Sequence, residues 1–287
     1  MAIQLDEVKQ TFYDAELKQY YLTAGIMNGK TREKNNVQPG DKVQFRKAGY
    51  GMAREHVPYQ DVVAMGAKME AVNCPIKAWD AFDYVDEFEP ATVNFETLSE
   101  VAKIAADALG RRKDQIKIDA LANGYDETNM KVGDGTANMT LKALKDAKFK
   151  LDQNDVPFEN RYFVYDPVML RGLLDETQFT SSDFVEKRQL QELNAGTGKA
   201  VLGFEFVMMS RKPEGGLPVS SGVVTGFAYH KDAIGYASQK EITSSIDWIP
   251  EKRSWLIGGT FNAGAVVIDN RGIVGVQCSA TVVEAQN

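Results

Sequence analysis

Histidine is nearly absent from this chain: His56 and His230 are the two in 287 residues, and they lie far apart. Acid–base, triad and zinc chemistry lean on histidine, so those functions lose their usual agent. Cysteine is equally scarce. Cys74 and Cys278 cannot build a disulfide framework, which points to a reducing compartment. Neither has a Cys-x-x-Cys partner or a nearby histidine, which argues against metal and redox roles. Positive charge is in deficit. Thirty-three Lys and Arg against 40 Asp and Glu leave a net charge of −7. Counterion release needs a basic face, so tight nucleic-acid binding is excluded as the main activity. No apolar run approaches the ~20 residues of a membrane-spanning helix. The start, MAIQLDEVKQ, lacks the basic stretch and apolar core of a secretory signal. What remains is ordinary: 44% hydrophobic and 25% charged, values that exclude disorder and collagen-like structure. The length allows one large domain or two lobes.

What is present begins with aromatic residues near the N-terminus. Leu5, Val8, Phe12, Leu17, Tyr20 and Tyr21 fall near helical spacing, so residues 4–22 are expected to form an amphipathic helix that docks on its own body or on a neighbouring subunit. Residues 28–40, NGKTREKNNVQPG, read as a polar linker. Val43 and Phe45 then alternate with Lys42, Gln44 and Arg46, which predicts a strand over 41–47. A tip at 48–60 and a second strand at 61–72 complete a hairpin over 40–72. An isolated ribbon is marginal in water, so this one should lie on its own body or across a neighbour. Residues 73–91 interleave Trp79, Phe82, Tyr84 and Phe88 with Asp80, Asp83, Asp86, Glu87 and Glu89. No calcium-loop spacing occurs there, and a solvated acidic face is expected.

Residues 92–123 carry the strongest helical pattern, with Phe95, Leu98, Val101, Ala102, Ala105, Ala108, Leu109, Ile116 and Leu121 on its apolar positions. Thr92 or Asn94 can cap its start, and Asn123-Gly124 ends it. Such a helix spans roughly 48 Å and acts as a strut. An amphipathic helix is expected at 139–156, a buried strand at 161–167 ended by Pro167, a short helix at 168–176 and a strand at 201–210. This mixture points to an α/β or α+β lobe from about 135 to 230. Toward its end the chain reads as strands, VVTGFAYH (223–230), EITSSIDWI (241–249), SWLIGGTFNAGAVVI (254–268) and GIVGVQCSATVV (272–283), separated by breakers such as Asp269-Asn270-Arg271-Gly272.

Candidate motifs fail one by one. Gly196-Thr197-Gly198-Lys199 lacks the leading glycine and the trailing Ser or Thr of a phosphate loop, with Leu193 and Ala200 in those places. Gly133-Asp134-Gly135 starts a dinucleotide pattern, but Asn138 stands where the third glycine belongs. His56 in the hairpin tip reads as a solvated loop residue and His230 as structural. Arg111-Arg112-Lys113 on the long helix reads as a partner for the protein's own acids. Glu251-Lys252-Arg253 reads as a turn or an ion-pair contact at an interface. The residues therefore offer no catalytic, cofactor-binding or metal-ligating set, and the chain is not expected to be an enzyme.

Three strings carry a family resemblance: NFETLSEVAKIAADALGRRKDQIKIDAL (94–121), VPFENRYFVYDPVMLRGLLDETQFTSSDF (156–184) and IPEKRSWLIGGTFNAGAVVIDNRGIVGVQC (249–278). Together with the order of elements, they resemble the major capsid proteins of tailed bacteriophages, of the podophage-type branch. The resemblance covers about residues 40–278. It implies an α+β protein of the Hong Kong 97-like fold. Residues 1–39 would be an N-terminal arm and 40–72 an extended loop over the adjacent subunit. Residues 73–133 would form a peripheral lobe with a spine helix, and 134–222 an axial lobe. Residues 223–287 would be strands returning to complete both lobes.

The resemblance also implies a function. The chain would assemble with itself into pentamers and hexamers, forming an icosahedral shell around double-stranded DNA. Scaffolding and portal proteins would be partners, a decoration protein could bind, and packaged DNA would be touched weakly and non-specifically, with no membrane involved. The location would be the virion capsid, and the host cytoplasm during assembly. No Lys–Asn cross-link is expected, since neither Lys42 nor Lys47 aligns with a cross-linking motif. The alternatives are an encapsulin-type nanocompartment shell and a small-molecule enzyme with an α/β lobe.

Overall fold

Runs of β-branched and aromatic residues favour pleated, half-buried strands, and they organise this molecule. In the computed structural model, residues 25–35, 42–56, 64–86, 96–176, 202–209 and 215–281 are described, with the single positions 37, 58, 59, 61 and 211. The strands are β1 (Arg32–Lys34), β2 (Lys42–Ala48), β3 (Met69–Pro75), β4 (Lys77–Asp86), β5 (Lys131–Val132) and β6 (Arg161–Tyr165). They continue with β7 (Glu205–Met208), β8 (Val219–Ser220), β9 (Val223–His230), β10 (Ile234–Ile249), β11 (Ser254–Val267) and β12 (Ile273–Ser279). The helices are α1 (Glu96–Gly124), α2 (Leu141–Gln153) and α3 (Pro167–Leu174). Mixed helices and sheets in this order form the expected α+β fold.

Among the described residues the strands form three sheets. The first runs β1-β10-β11-β4. Its spine is the long antiparallel pair of β10 and β11, in register from Ile234↔Val267 to Ile249↔Ser254. The second has six strands, ordered β5-β12-β9-β6-β7 with β8 beside β9. The third is the ribbon of β2 and β3.

Helix α1 has 29 residues, about 44 Å of rise. Its first half buries Ala105, Ala106 and Leu109 against β4, β10 and β11, beside Val85, Ile257 and Phe261. Its second half sends Ile118 and Leu121 into the core of the six-stranded sheet. That core is aromatic: Phe163, Tyr165 and Phe206 lie ring to ring at 5.4–6.2 Å. Burying one such side chain contributes about 1.5–3 kcal/mol. Helix α2 starts where Thr140 accepts from the Ala143 N–H and buries Leu141, Leu144, Ala147 and Leu151, one stripe at helical spacing. Pro167, expected to end a strand, does so and also opens α3 behind the Asp166 cap.

Several elements depart from the sequence expectation. The second hairpin strand begins at Met69 rather than 61. Residues 64–68 carry no regular secondary structure, Gly66 turns the chain at φ +70°, and the hairpin's pairing extends before Met69 to the Gly49 N–H donating to the Lys68 carbonyl at 2.7 Å. Residues 77–86, expected as a solvated acidic face, form β4. Asp80, Asp83 and Asp86 are exposed, yet Val85 is buried and Trp79 and Ala81 pack beside Leu109 and Phe261. Residues 32–34, expected within a linker, form β1 in parallel with Gly235–Ala237. β10 starts at Ile234, well before the expected 241. The expected helix over 4–22 and the caps Thr92 and Asn94 lie outside the described residues, as do residues 177–200.

Candidate assembly interface

The hairpin is anchored at its root and bare at its tip. At the root, Val43, Phe45 and Cys74 are buried with Ala237 and Ile268. Phe45 lies so close to Gly235 that a Cβ there would meet the ring at 2.8 Å. Lys34 places its ammonium 4.8 Å from the centre of the Phe45 ring and donates to the Gln44 carbonyl at 2.7 Å. Lys47 pairs with Asp269 at 3.1 Å, and Arg271 pairs with the same carboxylate at 3.0 Å. Burial pushes the Asp269 carboxyl up, but hydrogen bonds from Arg271 and Lys47 outweigh it and hold the group below the usual range. At the tip, Tyr50, Met52, Tyr59, Met65 and Met69 are all exposed. Scattered apolar residues are normal on a surface; five on one ribbon are a patch that wants a partner.

A second patch lies at the edge of the four-stranded sheet. β4 pairs with β11 on one side and ends the sheet on the other. Side chains alternate along a strand. Trp79, Ala81 and Val85 face α1, and Phe82 and Tyr84 point away from it and are exposed. Lys252 caps Tyr84 at 3.8 Å from the ring centre. Trp248 and Trp255 meet at 5.0 Å across the same end of the sheet.

The third feature is the segment entering β1. The Ile26 and Met27 N–H groups donate to the Asp114 carboxylate at 3.0 and 3.1 Å. Lys117 donates to the Met27 carbonyl and to Glu33, both at 2.9 Å. Lys117 is fully buried, and burial pulls its ammonium down to about 8 against the opposing pull of Glu33. Burial pushes the Asp114 carboxyl up, opposed by the two backbone donors.

The positions singled out in the sequence sit apart from one another. His56 is exposed at the tip. His230 is buried, caps the turn at 231–233 by accepting from the Asp232 N–H, and has its pKa lowered by burial. Cys74 and Cys278 are buried thiols pushed up to about 11 and about 12 by desolvation. Gly133 and Gly135 both take φ +82° in a loop against β12 and β9. Arg112 lies over Trp79 at 3.6 Å and Lys113 beside Tyr236 at 5.2 Å, so part of that basic run faces rings. Glu251-Lys252-Arg253 forms the β10–β11 turn, with Arg253 at φ +47°. Residues 196–199 lie outside the described residues. Among the described residues, no three or more His, Cys, Asp or Glu are placed to hold a metal ion, and no helix is long and apolar enough to cross a membrane. Sequence reasoning missed the Asp114–Lys117 anchor, whose only trace is an i, i+3 charge pair on the apolar side of a helix. It also missed the inward face of β4, although Trp79, Ala81 and Val85 carry its two-residue period.

A long spine helix beneath a narrow sheet, a ribbon rooted beside it and a separate aromatic-cored sheet are the parts of a shell-forming subunit with the Hong Kong 97-like fold. Residues 6–280 match the phage capsid protein family, and the chain belongs to that family. It is a structural coat protein. The capsid structure of the cyanophage P-SCSP1u is similar at a TM-score of 0.67 and 15% identity, covering 90% of this chain and 89% of that one. The acid-stable capsid of Helicobacter pylori bacteriophage KHP30 gives 0.68 and 13%, covering 88% of each chain. A virus-like particle from Pyrococcus furiosus gives 0.60 and 11%, covering 93% and 99%. At such identities the likeness is one of fold. The family match is to phage capsids, which disfavours the encapsulin alternative. No curated protein sequence matches the chain.

Proposed function

We propose that the chain assembles as pentamers and hexamers into a closed icosahedral shell around phage double-stranded DNA, and that its hairpin closes over the adjacent subunit. The observation that carries this reading is the contrast along the ribbon: a buried root at Phe45 and an exposed tip at Tyr50, Met52, Tyr59, Met65 and Met69. Apolar surface of that kind gains about 25 cal/mol per Å² when a neighbour covers it, and a shell repeats the gain at every subunit. In this reading residues 1–39 are the arm, 40–72 the loop, 73–133 the peripheral lobe, 134–222 the axial lobe and 223–287 the returning strands. The chain has no catalytic role. Scaffolding and portal proteins guide assembly in the host cytoplasm, a decoration protein is a further candidate partner, and DNA is enclosed with weak contact, in keeping with the −7 charge. Subunits stay uncross-linked, in keeping with the engagement of Lys47 by Asp269.

Negative-stain electron microscopy of the protein, expressed with and without its scaffolding gene, tests the assembly. Closed shells or ring-shaped capsomers are expected. A homogeneous monomer or dimer under both conditions overturns the reading. Mature particles on a denaturing gel should run as single chains, and a covalent ladder would contradict the absence of cross-links. Tight DNA binding by free subunits at physiological salt would contradict weak contact.

A further inference from the structure

The ten residues from Gly25 to Lys34 touch each of the three sheets. Met27 is fully buried in the core of the six-stranded sheet. Lys30 pairs with Glu205 on that sheet's edge strand β7 at 3.4 Å. Arg32–Lys34 then join β10 in the four-stranded sheet, and Lys34 reaches the hairpin at the Gln44 carbonyl. Midway, the segment crosses α1 at Asp114 and Lys117. That crossing falls where the helix passes from one core to the other, between Leu109 and Ile118.

The crossing is chemically expensive. Asp114 and Lys117 are 2% and 0% exposed, and Thr31, whose hydroxyl donates to Glu33 at 3.4 Å, is 1% exposed. Buried charges are strongly disfavoured unless matched in geometry and hydrogen bonding. Here they are matched largely by backbone of the segment: two N–H groups on Asp114 and one carbonyl on Lys117. A chain that had merely to reach β1 could cross the surface through water. Directional bonds to fixed charges instead hold the segment in one position relative to both sheets.

We propose that residues 25–34 are a brace that fixes the angle between the six-stranded and four-stranded sheets, anchored by Asp114 and Lys117, and that this angle sets the curvature at which copies meet in a shell. The curvature half rests on the coat-protein reading; the brace half does not. Geometry links them. Subunits that touch through both sheets transmit any change of the internal angle into the angle between neighbours, and the latter determines the radius of a closed surface.

The test uses the full-length protein with spin labels at Lys77→Cys on β4 and Lys142→Cys on α2, both exposed sites; the native thiols are buried. The parent is expected to give one narrow distance distribution. Asp114→Ala, which strips the acceptor from two backbone donors, should broaden or shift it. The Ile26 and Met27 amides should also exchange about tenfold faster, the worth of roughly one hydrogen bond. Lys30→Gln removes the partly exposed pair with Glu205 and the ammonium's place 6.0 Å from the Tyr162 ring centre, and should broaden the distribution less. An unchanged distribution in Asp114→Ala overturns the brace. If that variant does not accumulate, an unchanged distribution in Lys30→Gln overturns it. By microscopy, Asp114→Ala shells should spread in diameter. Parent-like diameters despite a broadened distribution overturn the curvature half. Absence of particles from the parent is a failure of the coat-protein reading, and the label distances still decide the brace.

Discussion

The six-stranded sheet and the β2–β3 ribbon bury their residues by opposite rules. In the sheet, β6 is buried at every position, and its neighbour β9 and the next strand β12 are nearly so. Phe163, Tyr165 and Phe206 have their partners within the chain. In the ribbon, β2 buries only Val43 and Phe45, and β3 only Cys74. Beyond that root the ribbon offers aromatic and methionine side chains to solvent. The first region carries its own core, and the second leaves exposed the apolar surface that the proposed neighbour would cover. One chain can thus be stable as a monomer and still gain on assembly.

Substitutions separate the two regimes. Phe163→Ala, in the centre of the aromatic core, should cost about 4 kcal/mol, seen as a lower urea midpoint or loss of soluble protein. Phe45→Ala at the root should cost about 3 kcal/mol, with faster amide exchange over 42–48 and loss of shells by microscopy. Equal stability to the parent there would erase the idea of a fixed root. Asp269→Asn removes the charge shared by Lys47 and Arg271. These groups are partly exposed, so screening holds the cost to under about 1 kcal/mol. Acid should act in the same direction. The folded carboxyl titrates below its unfolded value of about 3.9, so its contribution is complete above that pH and is lost as pH falls through the lower folded value. Urea midpoints from pH 6 down to about pH 3 check this, since Asp269→Asn should show the shallower fall. The smallest effect on the subunit is the most informative. Met52→Ser with Tyr59→Ser should change subunit stability by less than about 0.5 kcal/mol and yet abolish closed shells. Normal shells from that pair would shift the interface to β4.

Much of this was legible beforehand. The 3.6-residue period placed α1 and α2, and the two-residue period of Val43 and Phe45 placed β2, because one face of each is buried within the subunit. Legibility failed where burial depends on distant elements. β1 has three residues and no apolar pattern; it is a strand because β10 offers an edge and α1 offers Asp114 and Lys117. β4 was obscured by its acids, which occupy both faces, since Asp83 shares the inward register of Trp79 and Val85. The start of β10 at Ile234 was hidden by His230–Ala233, a tight turn that carries no glycine or proline. Of the candidate interface, the ribbon was foreseen. The buried anchor was not, because a charge pair on a helix normally signals solvent.

The parallel pairing of β1 with β10 has a mechanical consequence. Three residues, Arg32 to Lys34, lie alongside Gly235 to Ala237. Tension drawn through the N-terminal side along the strand axis loads that short ladder in shear, so its bonds resist together. Tension drawn sideways would open them one at a time, beginning at Arg32. Once the Asp114 anchor of Ile26 and Met27 has yielded, the join therefore has a stiff direction and a soft one for force arriving at Arg32, and the orientation of the pull decides whether it holds or unzips.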